Sequence, residues 1–160
     1  MKKYAHITLS ALLVAGLLAV GSTPAFAGKM GVMAMDAWVR AVPSTNKNSA
    51  AYMMLKNNGS KDIKLVGAST SVAEVAEVHE VVKSDGMMEM RQVKGGINIP
   101  KGGSVMLKQG GYHIMLINLT QKLMKDQEVT LELKFDDGST LSVKAPVKMG
   151  KGMKMKMKHS

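Results

Sequence analysis

The chain has 160 residues, a formal charge of +10, sixteen methionines and no cysteine. That length allows one domain, large enough to bury a core without disulfides or other staples. Without cysteine, any soft-metal chemistry must use another sulfur, and methionine supplies it. Aromatic residues make up only 4% of the chain, so there is no base-stacking surface to go with the positive charge, and a nucleic-acid partner is not expected.

Lys2 and Lys3 lead an apolar run over 7–20, followed by Pro24 and the small-residue site Ala25-Phe26-Ala27. This is the pattern of a secretory signal peptide, expected to occupy 1–27 and to be removed after Ala27. The apolar run falls short of the ~20 residues a membrane span needs. No cysteine follows it, which excludes a bacterial lipoprotein anchor and leaves the periplasm as the expected location. A short methionine-containing segment, 28–35, then precedes the domain.

From Ala37 the sequence is a series of short β-branched and apolar runs separated by breakers such as Asn57-Asn58-Gly59-Ser60, Asp85-Gly86, Gly110-Gly111 and Asp136-Asp137-Gly138. Strands are expected at 37–42, 50–57, 63–68, 75–83, 87–93, 103–108, 113–119, 127–135 and 140–146. In the run 127–135, Val129, Leu131, Leu133 and Phe135 alternate with Glu128, Thr130, Glu132 and Lys134, giving one core face and one wet face. The fold class is therefore all-β, a sandwich or Greek-key barrel over 36–147.

The last stretch, 148–160, has no branched aliphatic or aromatic side chain to bury and is dense in lysine, so it is expected to be a flexible tail. Its Met153, Met155, Met157 and His159 form a candidate second copper-collecting segment, with Cu(II) as an alternative occupant to Cu(I). Met30, Met33 and Met35 are candidates to join it. The lysines also suit weak contact with anionic lipid head groups.

Beyond the leader there are three histidines, His79, His113 and His159. Asp85-Gly86 signals a two-residue hairpin turn, which would pair Ser84 with Met87, Val81 with Met90 and His79 with Gln92. His79 and Met90 then become diagonal neighbours on one face, ~7 Å apart at Cβ, with Met88 beside them. A three-residue loop would break this parity. His113 and Met115, two apart on a strand, share a face without help from any turn. If that strand lies beside the hairpin, two imidazoles and two thioethers converge, a donor set that suits Cu(I) better than zinc, calcium or magnesium. The thiolate of a blue-copper electron-transfer site is missing. The carboxylates Asp136, Asp137, Glu128 and Glu132 are explained as turn residues and a solvated strand face, no nucleophile with a neighbouring base is present, and an enzyme is not expected. Trp38 and Tyr52 are expected in the core, with Trp38 in reach of a methionine-lined site.

The segments Asp36-Ala37-Trp38-Val39-Arg40-Ala41, Ser49-Ala50-Ala51-Tyr52-Met53, His79-Glu80, Gly86-Met87-Met88-Glu89-Met90-Arg91, Ile99-Pro100-Lys101-Gly102-Gly103 and Gly111-Tyr112-His113-Ile114-Met115 resemble the PCuAC family of periplasmic copper chaperones, over about 36–146. The resemblance implies a cupredoxin-like β-barrel that lacks a cupredoxin's cysteine and binds one Cu(I) through His79, Met90, His113 and Met115. It implies transfer to an acceptor, either the cytochrome c oxidase subunit carrying the dinuclear CuA centre or another copper chaperone. A copper-scavenging buffer without a dedicated acceptor is the alternative. Many family members carry a methionine where this chain has Val81; that residue is not one of the four usual ligands.

Overall fold

The computed structural model describes residues 31–43 and 45–150. These form ten strands and no helix: β1 (Val32–Arg40), β2 (Ser49–Asn57), β3 (Ile63–Ser69), β4 (Ala73–Ser84), β5 (Met87–Gln92), β6 (Ile97–Ile99), β7 (Ser104–Leu107), β8 (His113–Leu119), β9 (Glu128–Phe135) and β10 (Thr140–Lys148). Seven of them close a barrel in the order β4-β8-β2-β1-β10-β9-β3, with β3 returning to β4. All neighbours are antiparallel except β1 and β10, which run parallel where Val39 meets Val147. Closure removes the open edges that an exposed sheet would leave. The remaining strands are outriggers: β5 on β4, β6 on β3 and β7 on β2.

The inward residues of each strand make one continuous core that includes Val39, Met53, Leu55, Leu65, Val78, Ile114, Leu116, Leu131 and Leu133. The alternation expected over 127–135 is present in β9, whose four apolar residues are buried. Asn57 is the polar exception. It is 1% exposed, donates from Nδ2 to the carbonyls of Ile99 and Lys61, and accepts from the Gly59 amide at Oδ1. The chain turn that reads as a loop in the sequence is thus fastened from inside.

Two details differ from the sequence reading. The strand expected over 37–42 starts five residues earlier, at Val32, because a β-bulge between Met35 and Trp38 resets the alternation. Asp36 sits at that bulge with φ 53°. Val32, Ala34, Ala37 and Val39 therefore all face the core, while Met33, Met35 and Trp38 face out. The second difference is β6, a three-residue strand between Gly96 and Pro100 that pairs with β3.

The tail also begins later than expected: Lys148 still belongs to β10, and Met149 packs on the core. The leader at 1–27, Met30 and the candidate segment Met153, Met155, Met157 and His159 lie outside the described residues.

Candidate metal centre

The hairpin that the sequence places at Asp85-Gly86 is present. Both residues adopt positive φ, 47° and 82°, as a turn matching the twist of its strands requires. The register that follows is Ser84 opposite Met87, Val81 opposite Met90 and His79 opposite Gln92. On its other side β4 pairs with β8, which sets His79 directly opposite His113 and Glu77 opposite Met115. The side chains of Glu77, His79, Met90, His113 and Met115 project from the outer face, opposite to the core-facing Val78, Ile114 and Leu116.

The two imidazoles meet with ring centroids 6.0 Å apart at 49°. Cross-strand partners have Cβ atoms ~5 Å apart, and Met115 is ~7 Å along β8, so His79, His113 and Met115 outline a compact triangle. Met90 shares the face but stands on β5, one strand farther out and on the opposite side of His79 from Met115. The structure therefore brings three of the four expected ligands together and leaves Met90 on an arm. That arm, the outer half of the β4–β5 hairpin, carries Met87, Met88 and Met90 at 65%, 63% and 62% exposure.

Hydrogen bonds fix which nitrogen of each histidine is free. His113 is 4% exposed, and its Nδ1 lies 3.0 Å from the carbonyl oxygen of Gly111, an acceptor only, so Nδ1 carries the proton and Nε2 keeps its lone pair. Burial is the main cause that pushes the His113 pKa below its ordinary 6.5, and the Gly111 hydrogen bond opposes it; neighbouring His79 and Arg40 push the same way as burial. His113 is neutral at pH 7. His79 donates from Nε2 to Oε2 of Glu77 at 3.0 Å, which leaves Nδ1 without a hydrogen-bond partner.

Glu77, Tyr52 and Arg40 are site residues that the sequence reading missed. Glu77 lies two residues before His79, so the face-sharing argument applied to Met115 was available for it too. Tyr52 comes from β2 and stacks between His113, at 6.4 Å, and Trp38, at 4.6 Å. Tyr52 is buried as expected, but neither it nor Trp38 packs into the central core cluster; both lie beside the histidines, with Trp38 also bordering Met54 and Met106 as its expected reach toward methionines implies. No chain signal short of the strand order could have shown this. Burial pushes the Tyr52 hydroxyl pKa up, so it stays protonated.

Among the described residues, no three His, Asp or Glu side chains come together as a metal-binding group. What the face offers is imidazole and thioether, with the Glu77 carboxylate engaged by His79. The thioethers are neutral and soft and match a soft monovalent ion better than a hard divalent one.

The closed barrel has the cupredoxin-like fold of PCuAC domains. The copper-bound PCuAC domain from PmoF2 superposes with a TM-score of 0.62 at 18% identity, over 75% of this chain and 94% of that one. The solution structure of CuI-DR1885 from Deinococcus radiodurans matches with a TM-score of 0.62 at 38% identity, over 79% of this chain and 84% of that one. The apo form of the same Deinococcus protein matches at 0.61 and 35%, over 91% and 97%.

The chain belongs to the LpqE-like family, described as "Putative lipoprotein LpqE-like", whose model matches residues 32–147. A curated relative, "Putative lipoprotein Lxx21020" of Leifsonia xyli, is 41% identical over 118 residues, 74% of this chain and 70% of the relative. An uncharacterized protein of Rickettsia prowazekii is 30% identical over 62% of this chain and 55% of its own length.

Proposed function

We propose that the protein is an exported copper carrier that binds one Cu(I) at His79, His113, Met115 and Met90 and passes it to an acceptor protein. The observation that carries this reading is the cross-strand pair His79–His113 on an outer face, each ring with one nitrogen held by an acceptor and the other free. The similarity to CuI-DR1885, at 38% identity, supports the choice of ion.

The chemistry follows from the ligand set. His113 Nε2, His79 Nδ1 and Met115 Sδ form a resident half-site, and the arm supplies Met90 by curling over the ion. The arm is hydrogen-bonded to the barrel along β4 alone, so it can bend without breaking the closed wall. Neutral ligands hold Cu(I) without trapping it. An acceptor's thiolates can displace Met90 first and Met115 next, keeping the ion coordinated throughout. With its sites filled by two imidazoles and two thioethers the ion has no open position for oxygen, and the protein acts as a carrier rather than an enzyme.

The acceptor we favour is the CuA centre of cytochrome c oxidase, and the compartment the periplasm. The leader at 1–27 supports export, as do the relatives described as lipoproteins, although this sequence has no cysteine to take a lipid. Met153, Met155, Met157 and His159 would collect copper in the tail and feed the barrel.

Anaerobic Cu(I) titration against a chromophoric chelator tests the reading. One tight equivalent, lost in the His113→Ala/Met115→Ala variant, is expected. Its persistence in that variant would overturn the barrel site. Delivery is tested separately by mixing the Cu(I) form with an apo CuA domain; a tight barrel site that gives no copper to it would make the protein a buffer.

A further inference from the structure

A second set of methionines lies on the same outer face. Met35 is directly opposite Met54 on β2, and Met54 is directly opposite Met106 on β7. Three adjacent strands thus present three thioethers in one row. Their inward neighbours, Ala34, Leu55, Val105 and Leu107, pack on the core, which fixes the three as outward. Met106 is 50% exposed. Met35 and Met54 are half-buried, and none of the three belongs to the core.

A groove of about 360 Å³ lies beside Met54 and Met106, lined also by Trp38, Tyr52, Asp36, Lys108 and Gln109. Trp38 offers an indole face to a cation. Asp36, at the bulge, brings a negative charge. The groove therefore holds two thioethers and a π-face, which favour a soft monovalent cation, with Asp36 and Lys108 offsetting each other's charge.

We infer that Met35, Met54 and Met106 form a second Cu(I) site, a methionine ladder beside the histidine site. Cross-strand Cβ atoms are ~5 Å apart, so either neighbouring pair closes around one ion, while the outer two are ~10 Å apart and too far to join them. Met54 is the shared ligand. An ion held by Met54 and Met106 moves to Met54 and Met35 by exchanging one thioether for another. The ladder is weaker than the histidine site because it lacks imidazole, and it is close to it: Met54 is two residues from Tyr52, whose ring stacks toward His113. A copper ion on the ladder is thus positioned to reload the histidine site, and this inference stands whether or not the histidine site binds as proposed.

The test uses the protein with its tail, labelled with ¹³C at the methionine methyls, and Cu(I) added anaerobically as its acetonitrile complex. Methyl signals are assigned by single Met→Leu changes, which conserve volume. In the wild type, the Met90 and Met115 signals should move with the first equivalent, and those of Met35, Met54 and Met106 with later ones. In His113→Ala/Met115→Ala the ladder signals should still move. Met54→Leu should abolish the shifts of both Met35 and Met106 and leave the first equivalent intact. Ladder signals that stay fixed through five equivalents, or that move in the wild type and not in the double variant, would overturn the inference. Failure of Met90 and Met115 to move would count against the histidine site alone.

Discussion

Removing the Glu77 carboxylate should weaken Cu(I) binding although Glu77 itself touches no copper. The side chain is 31% exposed and lies 3.0 Å from His79 Nε2. It holds the proton on Nε2 and the ring in place, which leaves Nδ1 for the proposed copper ion. Outer partners of metal-binding histidines are typically worth 10–100-fold in affinity, about 1.4–2.7 kcal/mol. The partial exposure of Glu77 argues for the lower end, because water can replace part of the interaction. Glu77→Ala is therefore expected to weaken Cu(I) about tenfold. Glu77→Gln keeps an acceptor oxygen and should lose less. Competition against a Cu(I) chelator at pH 7 reads the affinity, and ¹⁵N spectra of the histidine rings read the tautomer. An unchanged affinity would refute the positioning role. A tighter one would show that copper takes Nε2 and that Glu77 competes with it.

Inserting one glycine between Gly86 and Met87 should reverse the facing of Met90 and weaken Cu(I) to the level of Met90→Leu, with the circular-dichroism spectrum unchanged, because β5 lies outside the closed barrel. The lowered pKa of His113 gives a signed pH dependence. The folded protein binds fewer protons than the unfolded chain below 6.5, so stability should fall as pH drops from there to the folded-state pKa and level off beneath it; denaturant titrations should show that slope in the wild type and lose it in His113→Ala. Asn57→Ala should cost about 1–3 kcal/mol, since it removes the side-chain donor to the buried carbonyl of Ile99, as read from urea unfolding. Leu131→Ala, at 0% exposure, should cost about 2–5 kcal/mol by the same assay through the cavity it leaves.

How much of this could be read in the sequence depends on whether the controlling interaction is local. The β4–β5 register follows from two residues, Asp85 and Gly86, whose positive φ is a property of the turn itself. The facing of His113 and Met115 follows from the pleat. Bringing the two pairs together does not follow, since β4 and β8 are separated by β5, β6 and β7 in the chain and become neighbours only when the barrel closes. β6 was missed because Ile97-Asn98-Ile99 is too short to show a period and lies between breakers. The start of β1 was missed because the bulge at Asp36 puts Met33, Met35 and Trp38 on one face at spacings of two and three, a pattern with no fixed period.

The outer face shows why a methionine count is a poor guide to function and a methionine's facing is a good one. Met53 and Met54 are adjacent on β2. Met53 is 1% exposed and belongs to the core, where a flexible thioether fills space as a leucine would. Met54, one residue on, points the other way, toward Met35 and Met106. The core is closed by branched aliphatics that need no help from the outward methionines, so folding gives no reason for their number. Outward thioethers on the wall that carries His79 and His113 add apolar, oxidisable surface without serving the core, and the copper binding proposed for them is a reason for their facing that folding does not supply.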